Sequence, residues 1–143
     1  MDSREFVNEI KRYAVDDTVE QVMRSLRSPR LFDVSSEFEQ SGMNGLAQRM
    51  ADQNREKQRR AAWFDGLSED DRTIVRQIVT ECAELTGFGF MTFLDGVGGD
   101  TEGVFELVQV VGEDRNILNP ENSEMLHDLF SEVCERDREH GRS

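Results

Sequence analysis

The sequence has few of the residues that build covalent frameworks or metal centres. It contains two cysteines, two histidines and two prolines among its 143 residues. Cys82 and Cys134 are too few and too far apart for the disulfide framework of a secreted protein or for a paired zinc-binding motif. No apolar run approaches the roughly 18 residues that cross a bilayer, and the first six residues form no apolar signal segment. We therefore expect a cytoplasmic protein that does not act on membranes.

Basic residues are also scarce relative to acidic ones. The chain has 17 Lys and Arg against 30 Asp and Glu, which gives a formal net charge of −13. A protein that binds the phosphate backbone needs a surplus of positive charge, so nucleic acid is not an expected partner.

This charge is unevenly distributed along the chain. Residues 1–64 hold 11 basic and 11 acidic side chains, whereas residues 65–143 hold 6 and 19. The large apolar residues are also concentrated in the second part, which has 23 Ile, Leu, Val and Phe against 13 in the first part. The length fits one domain. We predict a single domain, residues 1–143, made of a charge-balanced helical part at 1–64 and an acidic α+β core at 65–143.

The first part has the apolar spacing of helices. Apolar residues recur at helical intervals from Phe6 to Leu26, and Pro29 ends this segment. A break near Asp16 would divide the segment into two helices, and the sequence leaves that open. Residues 46–64 predict a long, largely solvated helix that stops at Gly66.

The next segment predicts a helix followed by strands. Ser68 with Asp71 three residues later is typical of an N-terminal cap, and the apolar stripe from Ile74 to Leu85 predicts a buried helix that ends at Gly87. Residues 88–94 and 104–111 then alternate or are rich in β-branched and aromatic types. We predict that these two strands form a hairpin around a glycine-rich loop at 95–103.

The C-terminal region predicts one more strand and one more helix. A short strand is possible near Ile117, and Asn119 followed by Pro120 fits a cap with proline at the first helical position. The apolar stripe from Met125 to Cys134 predicts that helix, and residues 135–143 predict a frayed tail. The resulting fold class is helix-rich α+β, with amphipathic helices packed on a small antiparallel sheet and a helical N-terminal half.

No reactive constellation is complete in the sequence. Cys82 and Cys134 lie on apolar helical stripes, where a thiol behaves as a buried, unreactive hydrophobe. The histidines, His127 and His140, do not form a nucleophile–base motif with either. The glycine-rich loop lacks the Gly-Lys-Ser/Thr of a phosphate-binding loop, and its acids do not have the spacing of a calcium-binding loop. We expect no catalytic residues, no metal and no cofactor.

One basic stretch precedes the acidic part. Arg55, Arg59 and Arg60 lie close to Trp63 and Phe64. We predict that these arginines pair with acids of the second part, such as Glu69, Asp70, Asp71 or Glu84, and that both aromatic side chains are anchored in the core.

The charge asymmetry favours a protein that binds other proteins. An acidic surface can present carboxylates where a cationic protein would otherwise meet phosphates. The expected partner is a basic protein, such as a nuclease toxin or another nucleic-acid-binding protein, as for an immunity or inhibitor protein. The hairpin and the turn after it are predicted to project the binding carboxylates, which are Asp95, Asp100, Glu102, Glu106, Glu113 and Asp114.

Two alternatives stay open. The first is a homodimer, in which apolar residues between the first helices and the long helix complete an interface; these are Leu31, Phe32, Val34, Phe38 and Met43. The second is a small-ligand or metal-dependent enzyme that uses the carboxylates of the hairpin loop. A concentration-independent monomer mass would exclude the dimer, and a thermal-shift screen with metals and metabolites addresses the enzyme.

Overall fold

The chain folds into helices with one small antiparallel sheet, which confirms the predicted helix-rich α+β class. The computed structural model describes residues 1–34, 44–97, 105–120 and 123–141. Its elements, in chain order, are α1 (Ser3–Ile10), a π-helical segment (Lys11–Asp16), α2 (Asp17–Arg27), α3 (Asn44–Asp65), α4 (Glu69–Leu94), β1 (Val108–Val111), β2 (Asp114–Ile117) and α5 (Leu126–Glu139).

The chain divides into two compact units. Unit 1 consists of residues 1–19 and 77–143, and unit 2 consists of residues 20–76. Unit 2 contains 10 acidic and 10 basic residues, whereas unit 1 contains 20 acidic and 7 basic ones. The whole net charge of −13 therefore belongs to unit 1, just as a cut at residue 64 places all of it in the C-terminal part.

Local capping explains the ends of several helices. The Asp2 carboxylate accepts a hydrogen bond from the Glu5 amide at 2.8 Å, and the Glu5 carboxylate accepts one from the Asp2 amide at 2.9 Å. The helical path continues from α1 through the π-helical segment into α2, so the region around Asp16 contains a widened turn rather than a break. As predicted, α2 ends at Arg27, shortly before Pro29.

The junction between α3 and α4 follows its sequence signals closely. The Gly66 amide donates to the Ala62 carbonyl at 3.2 Å and closes α3. Ser68 then caps α4, because its hydroxyl accepts from the Asp71 amide at 3.1 Å. Both predictions for this junction are confirmed.

The predicted strand at residues 88–94 is wrong, because α4 continues as helix through Leu94. Gly87 does not end the helix. A Cβ atom placed on Gly87 would lie 2.4 Å from Cζ of Phe130, a buried residue of α5. Gly87 is therefore required by the close approach of an aromatic ring, whereas Gly89 has open space around it and Phe88 and Phe90 are exposed.

The hairpin forms from different residues than predicted. β1 pairs antiparallel with β2, with Val108 opposite Ile117 and Val111 opposite Asp114. The turn between them contains Gly112 in the left-handed region, at φ 64°. The predicted strand at 104–111 is thus confirmed for 108–111, and the predicted short strand near Ile117 is the end of β2.

The last helix starts later than predicted and extends further. Asn119 does not cap it, because its side-chain amide donates to the Phe105 carbonyl at 2.6 Å and accepts from the Leu107 amide at 2.7 Å. α5 continues to Glu139, so the tail predicted to fray from residue 135 is helical up to that point.

α1 and α5 supply much of the core of unit 1, and α4 adds Met91 and Leu94. Val7 and Val15 from the N-terminal segment are buried, and so is Met91 of α4. α5 contributes an almost fully buried face made of Leu126, Leu129, Phe130, Val133 and Cys134. This face has the three- and four-residue spacing that the sequence predicted for an amphipathic helix.

Within the described residues, no helix combines the length and apolar character needed to cross a membrane.

Candidate functional site

The hairpin of unit 1 presents three exposed carboxylates. Glu106 lies just before β1, Glu113 lies in the turn, and Asp114 is the first residue of β2. None of the three forms an ion pair with another described residue. We call residues 105–118 with these carboxylates the acidic hairpin.

Apolar side chains also face solvent on the acidic hairpin. Val110 is 59% exposed and Val111 is 63% exposed, and Ile117 on β2 is exposed as well. A two-stranded sheet has limited capacity to bury its faces, so such side chains stay accessible unless another element covers them. The hairpin therefore combines negative charge with apolar surface, as many interaction surfaces do.

One side of the hairpin is tied to the rest of unit 1. The Leu118 amide donates to the Leu107 carbonyl at 2.8 Å, and the Ser3 hydroxyl donates to the Leu118 carbonyl. The Asn116 side-chain amide donates to the Met1 carbonyl. These contacts fix β2 against the N-terminus.

Asp95 is not part of this exposed group, although the sequence placed it there. Its side chain is only 6% exposed. The carboxylate accepts hydrogen bonds from the amides of Leu126 and His127, at 3.1 and 2.9 Å, and so caps the N-terminus of α5. Its position at the start of the glycine-rich loop suggested a solvated loop acid, but the fold brings the start of α5 to it.

Asp95 also contacts the side chain of His127. The Nδ1 atom of His127 lies 2.7 Å from a carboxylate oxygen of Asp95, and the imidazole packs edge-on against Phe88 with ring centroids 5.7 Å apart. Nucleophilic catalysis would require a hydroxyl or thiol beside the imidazole. The hydrogen bonds, ion pairs and ring contacts of His127 among the described residues are with Asp95, Asp128 and Phe88, and through Asp95 they link the turn after α4 to the start of α5.

Many other acids of unit 1 are neutralised by nearby cations. Lys11, buried in the π-helical segment, donates to Asp16 and Asp137 at 2.7 and 2.5 Å. Burial lowers the pKa of the Lys11 ammonium, but the hydrogen bonds to Asp137 and Asp16 outweigh it, and the net pKa is raised. Arg138 likewise pairs with the buried Glu84.

At the surface, Arg4 forms ion pairs with Glu132 and Glu124. The hydrogen bond from Arg4 lowers the pKa of the Glu132 carboxyl. Three further exposed acids, Glu81, Glu135 and Glu139, lie on helices and form no ion pair with a described residue. The three carboxylates of the acidic hairpin differ from these helical acids because they lie together on one β-hairpin.

The remaining predicted site residues fall in two groups. Asp100 and Glu102 of the binding set, and Phe38 and Met43 of the dimer set, lie outside the described residues. Leu31, Phe32 and Val34, in unit 2, are all exposed. Asn54 of α3 bonds both the amide and the carbonyl of Phe32, at 2.8 and 2.9 Å, so this segment has a defined path along the helix.

The two thiols are in different environments. Cys134 is buried, and burial, together with the charge of Glu84, raises its pKa to about 11. Cys82 is exposed, so the prediction that it is buried is wrong. No group of three or more His, Cys, Asp and Glu side chains suited to a metal ion occurs in the part of the chain that the structure describes.

The basic stretch of α3 is also arranged differently from its prediction. Arg55 pairs with Asp52, and both Arg59 and Arg60 pair with Glu56, so these arginines bind acids of their own helix. Trp63 is 54% exposed and is not a core residue, whereas Phe64 is buried as predicted.

Comparison with protein-family models, with curated proteins and with solved structures found no match to the chain.

Proposed function

We propose that the protein is a non-enzymatic, cytoplasmic interaction protein whose acidic hairpin binds a basic partner protein, in the manner of an immunity or inhibitor protein. The observation that carries this proposal is the location of the charge. Unit 1 bears the full −13, and its hairpin holds three exposed carboxylates without a counter-ion among the described residues.

Electrostatics gives such a surface two properties. A concentrated negative field raises the rate at which a positively charged protein encounters it, and salt reduces that rate. Carboxylates that already have internal partners, such as Glu84 with Arg138, contribute little to this attraction because the nearby cation cancels their field. Glu106, Glu113 and Asp114 form no ion pair with a described residue, and together with Arg115 of β2 they leave the acidic hairpin with a net charge of −2.

A charge-neutralising variant tests the proposal. The test variant is Glu106→Gln, Glu113→Gln, Asp114→Asn, and the matched control is Glu81→Gln, Glu135→Gln, Glu139→Gln, which removes the same charge from helices of unit 1. Proteins captured from native lysate at about 50 mM salt are ranked by their own net charge, and the main binder is then purified and titrated.

We expect the captured proteins to be basic and the test variant to bind the purified partner about tenfold more weakly, since each exposed ion pair contributes roughly 0.2–1 kcal/mol. The control variant should retain most of the affinity. A partner set without excess positive charge, or an equal loss in both variants, would contradict a role for the acidic hairpin.

Self-association is a second candidate, supported by the exposed apolar residues Leu31, Phe32 and Val34 of unit 2. Apolar side chains so close in sequence gain free energy when a second surface covers them. Light scattering over a wide concentration range tests this candidate. A constant monomer mass would exclude it.

A further inference from the structure

One edge of the hairpin carries backbone groups that face away from the sheet. Because the turn between β1 and β2 has two residues, Val111 and Asp114 form a hydrogen-bonded pair, and such pairs alternate along an antiparallel ladder. The bond from the Leu118 amide to the Leu107 carbonyl fits this alternation. The amide and carbonyl groups of Val108 and Val110 therefore point outward from β1.

This outer edge is unoccupied by other described residues. In the described part of the chain the sheet has two strands, and no described backbone group outside it bonds Val108 or Val110. The opposite edge, on β2, is held near Met1 and Ser3. An open strand edge is a template for another strand, because each outward amide and carbonyl gains a partner when a strand is added.

The charges at the ends of β1 decide which strand fits. Glu106 lies at one end, and Glu113 and Asp114 lie at the other. Two copies of β1 paired edge to edge would bring these carboxylates together: parallel pairing aligns like residues, and antiparallel pairing sets Glu106 beside the turn of the other copy. Like charges in register destabilise strand pairing, so a second copy is disfavoured and a cationic strand is favoured.

We propose that the outer edge of β1 binds an extended, basic segment of the partner by strand addition. The backbone groups of Val108 and Val110 supply the pairing, the three carboxylates select Lys and Arg, and the exposed Val110 accepts an apolar side chain on the same face. This inference rests on the proposed function, since it specifies the part of the basic partner that the acidic hairpin recognises.

Two synthetic peptides test the proposal with the full-length protein. The first is an octapeptide of alternating lysine and valine, and the second is the same peptide with all of its peptide nitrogens methylated, which keeps the charge but removes the pairing amides of both strand edges. We expect the methylated peptide to bind at least tenfold more weakly. We also expect the first peptide to slow hydrogen exchange at the amides of Val108 and Val110, but not at the exposed turn amide of Glu113.

A Val110→Pro variant removes one outward amide and leaves the ladder to β2 intact, as proline on an edge strand does. It should reduce binding of the unmodified peptide at least tenfold. If this variant does not fold, the exchange measurement on the wild-type protein still decides the question.

The outcomes separate the two proposals. Equal, salt-sensitive binding of both peptides would overturn strand addition and leave the acidic surface as the recognition element. Failure of both peptides to bind would overturn strand addition, and the neutralised hairpin variant then decides the proposed function independently. Unchanged exchange at Val108 and Val110 on binding would also overturn strand addition.

Discussion

Replacement of Gly87 by alanine tests the packing that forms the core of unit 1. Gly87 lies inside α4, where alanine is normally the better residue. The added Cβ would meet the tip of the Phe130 ring head-on, 2.4 Å from Cζ and 3.1 Å from both Cε atoms. Phe130 is 1% exposed, so the ring has no solvent-filled space into which it can turn.

Two opposing effects set the magnitude. Removing glycine from a helix interior stabilises the protein by about 0.5–1 kcal/mol. Overpacking a tight core costs typically about 1–3 kcal/mol, and a contact at 2.4 Å against a buried ring is at the upper end of that range. We therefore expect Gly87→Ala to reduce the free energy of unfolding by about 1–2 kcal/mol.

Gly89→Ala is the matched control, two residues further along the same helix. An added Cβ at Gly89 meets no atom within 4 Å, so only the backbone effect remains, and stability should rise by about 0.5–1 kcal/mol. Thermal unfolding should show a melting temperature several degrees lower for Gly87→Ala and a few degrees higher for Gly89→Ala.

A double variant, Gly87→Ala with Phe130→Leu, locates the cause. Leucine removes the ring tip, so the cost of the alanine should be much smaller in that background than in the wild type. Equal stability of the Gly87→Ala and Gly89→Ala proteins would refute the close approach of the ring to α4, and with it our explanation for the glycine.

Three further predictions concern buried polar groups and the thiols. Asp95→Ala should cost about 1–2 kcal/mol in urea unfolding because it uncaps α5, whereas Asp128→Ala, at an exposed position, should change stability by less than about 0.5 kcal/mol; equal effects would contradict the capping role. Lys11→Met leaves the Asp16 and Asp137 carboxylates without their cation and should reduce the free energy of unfolding by about 1–3 kcal/mol. Since folding raises the pKa of Lys11, the stabilisation by Lys11 is complete below its ordinary pKa of 10.5 and is lost as the pH rises through the folded pKa. A stability deficit of the variant that does not shrink in strongly alkaline buffer would contradict this role of Lys11. At pH 8 a thiol reagent should modify Cys82 in the native protein and reach Cys134 only on unfolding, and two equally fast reactions would disprove the burial of Cys134.

Local interactions made two helix boundaries predictable, the end of α2 before Pro29 and the junction between α3 and α4. Gly66 and the Ser68–Asp71 cap act through atoms a few residues apart, so their effect can be read from spacing alone. The apolar stripe of α5 was equally readable, because a helix that buries one face shows that face in its sequence period. The helix-rich α+β class follows from these elements.

The candidate site was only partly predictable, because only some of its features depend on interactions between residues close in sequence. Glu106, Glu113 and Asp114 were identified as exposed acids because they flank turn and strand residues. Asp95 was not distinguishable from them, since the amides that it caps lie more than 30 positions further along the chain. The open edge of β1 depended on strand pairing, and the sequence had placed the partner strand in what is the end of α4.

The amino-acid sequence by itself determined the segregation of charge, the local caps and the buried face of α5, because these depend on composition and on neighbours within one or two helical turns. The prediction that the apolar stripe of α4 is buried is wrong, since Ile74, Ile78 and Leu85 are exposed. Tertiary structure alone decided that the Gly87–Leu94 stretch is helical, that Asp95 is a buried cap and that Cys82 is exposed. In each of these cases the outcome depends on which residues from distant parts of the chain lie nearby, and sequence spacing does not reveal that.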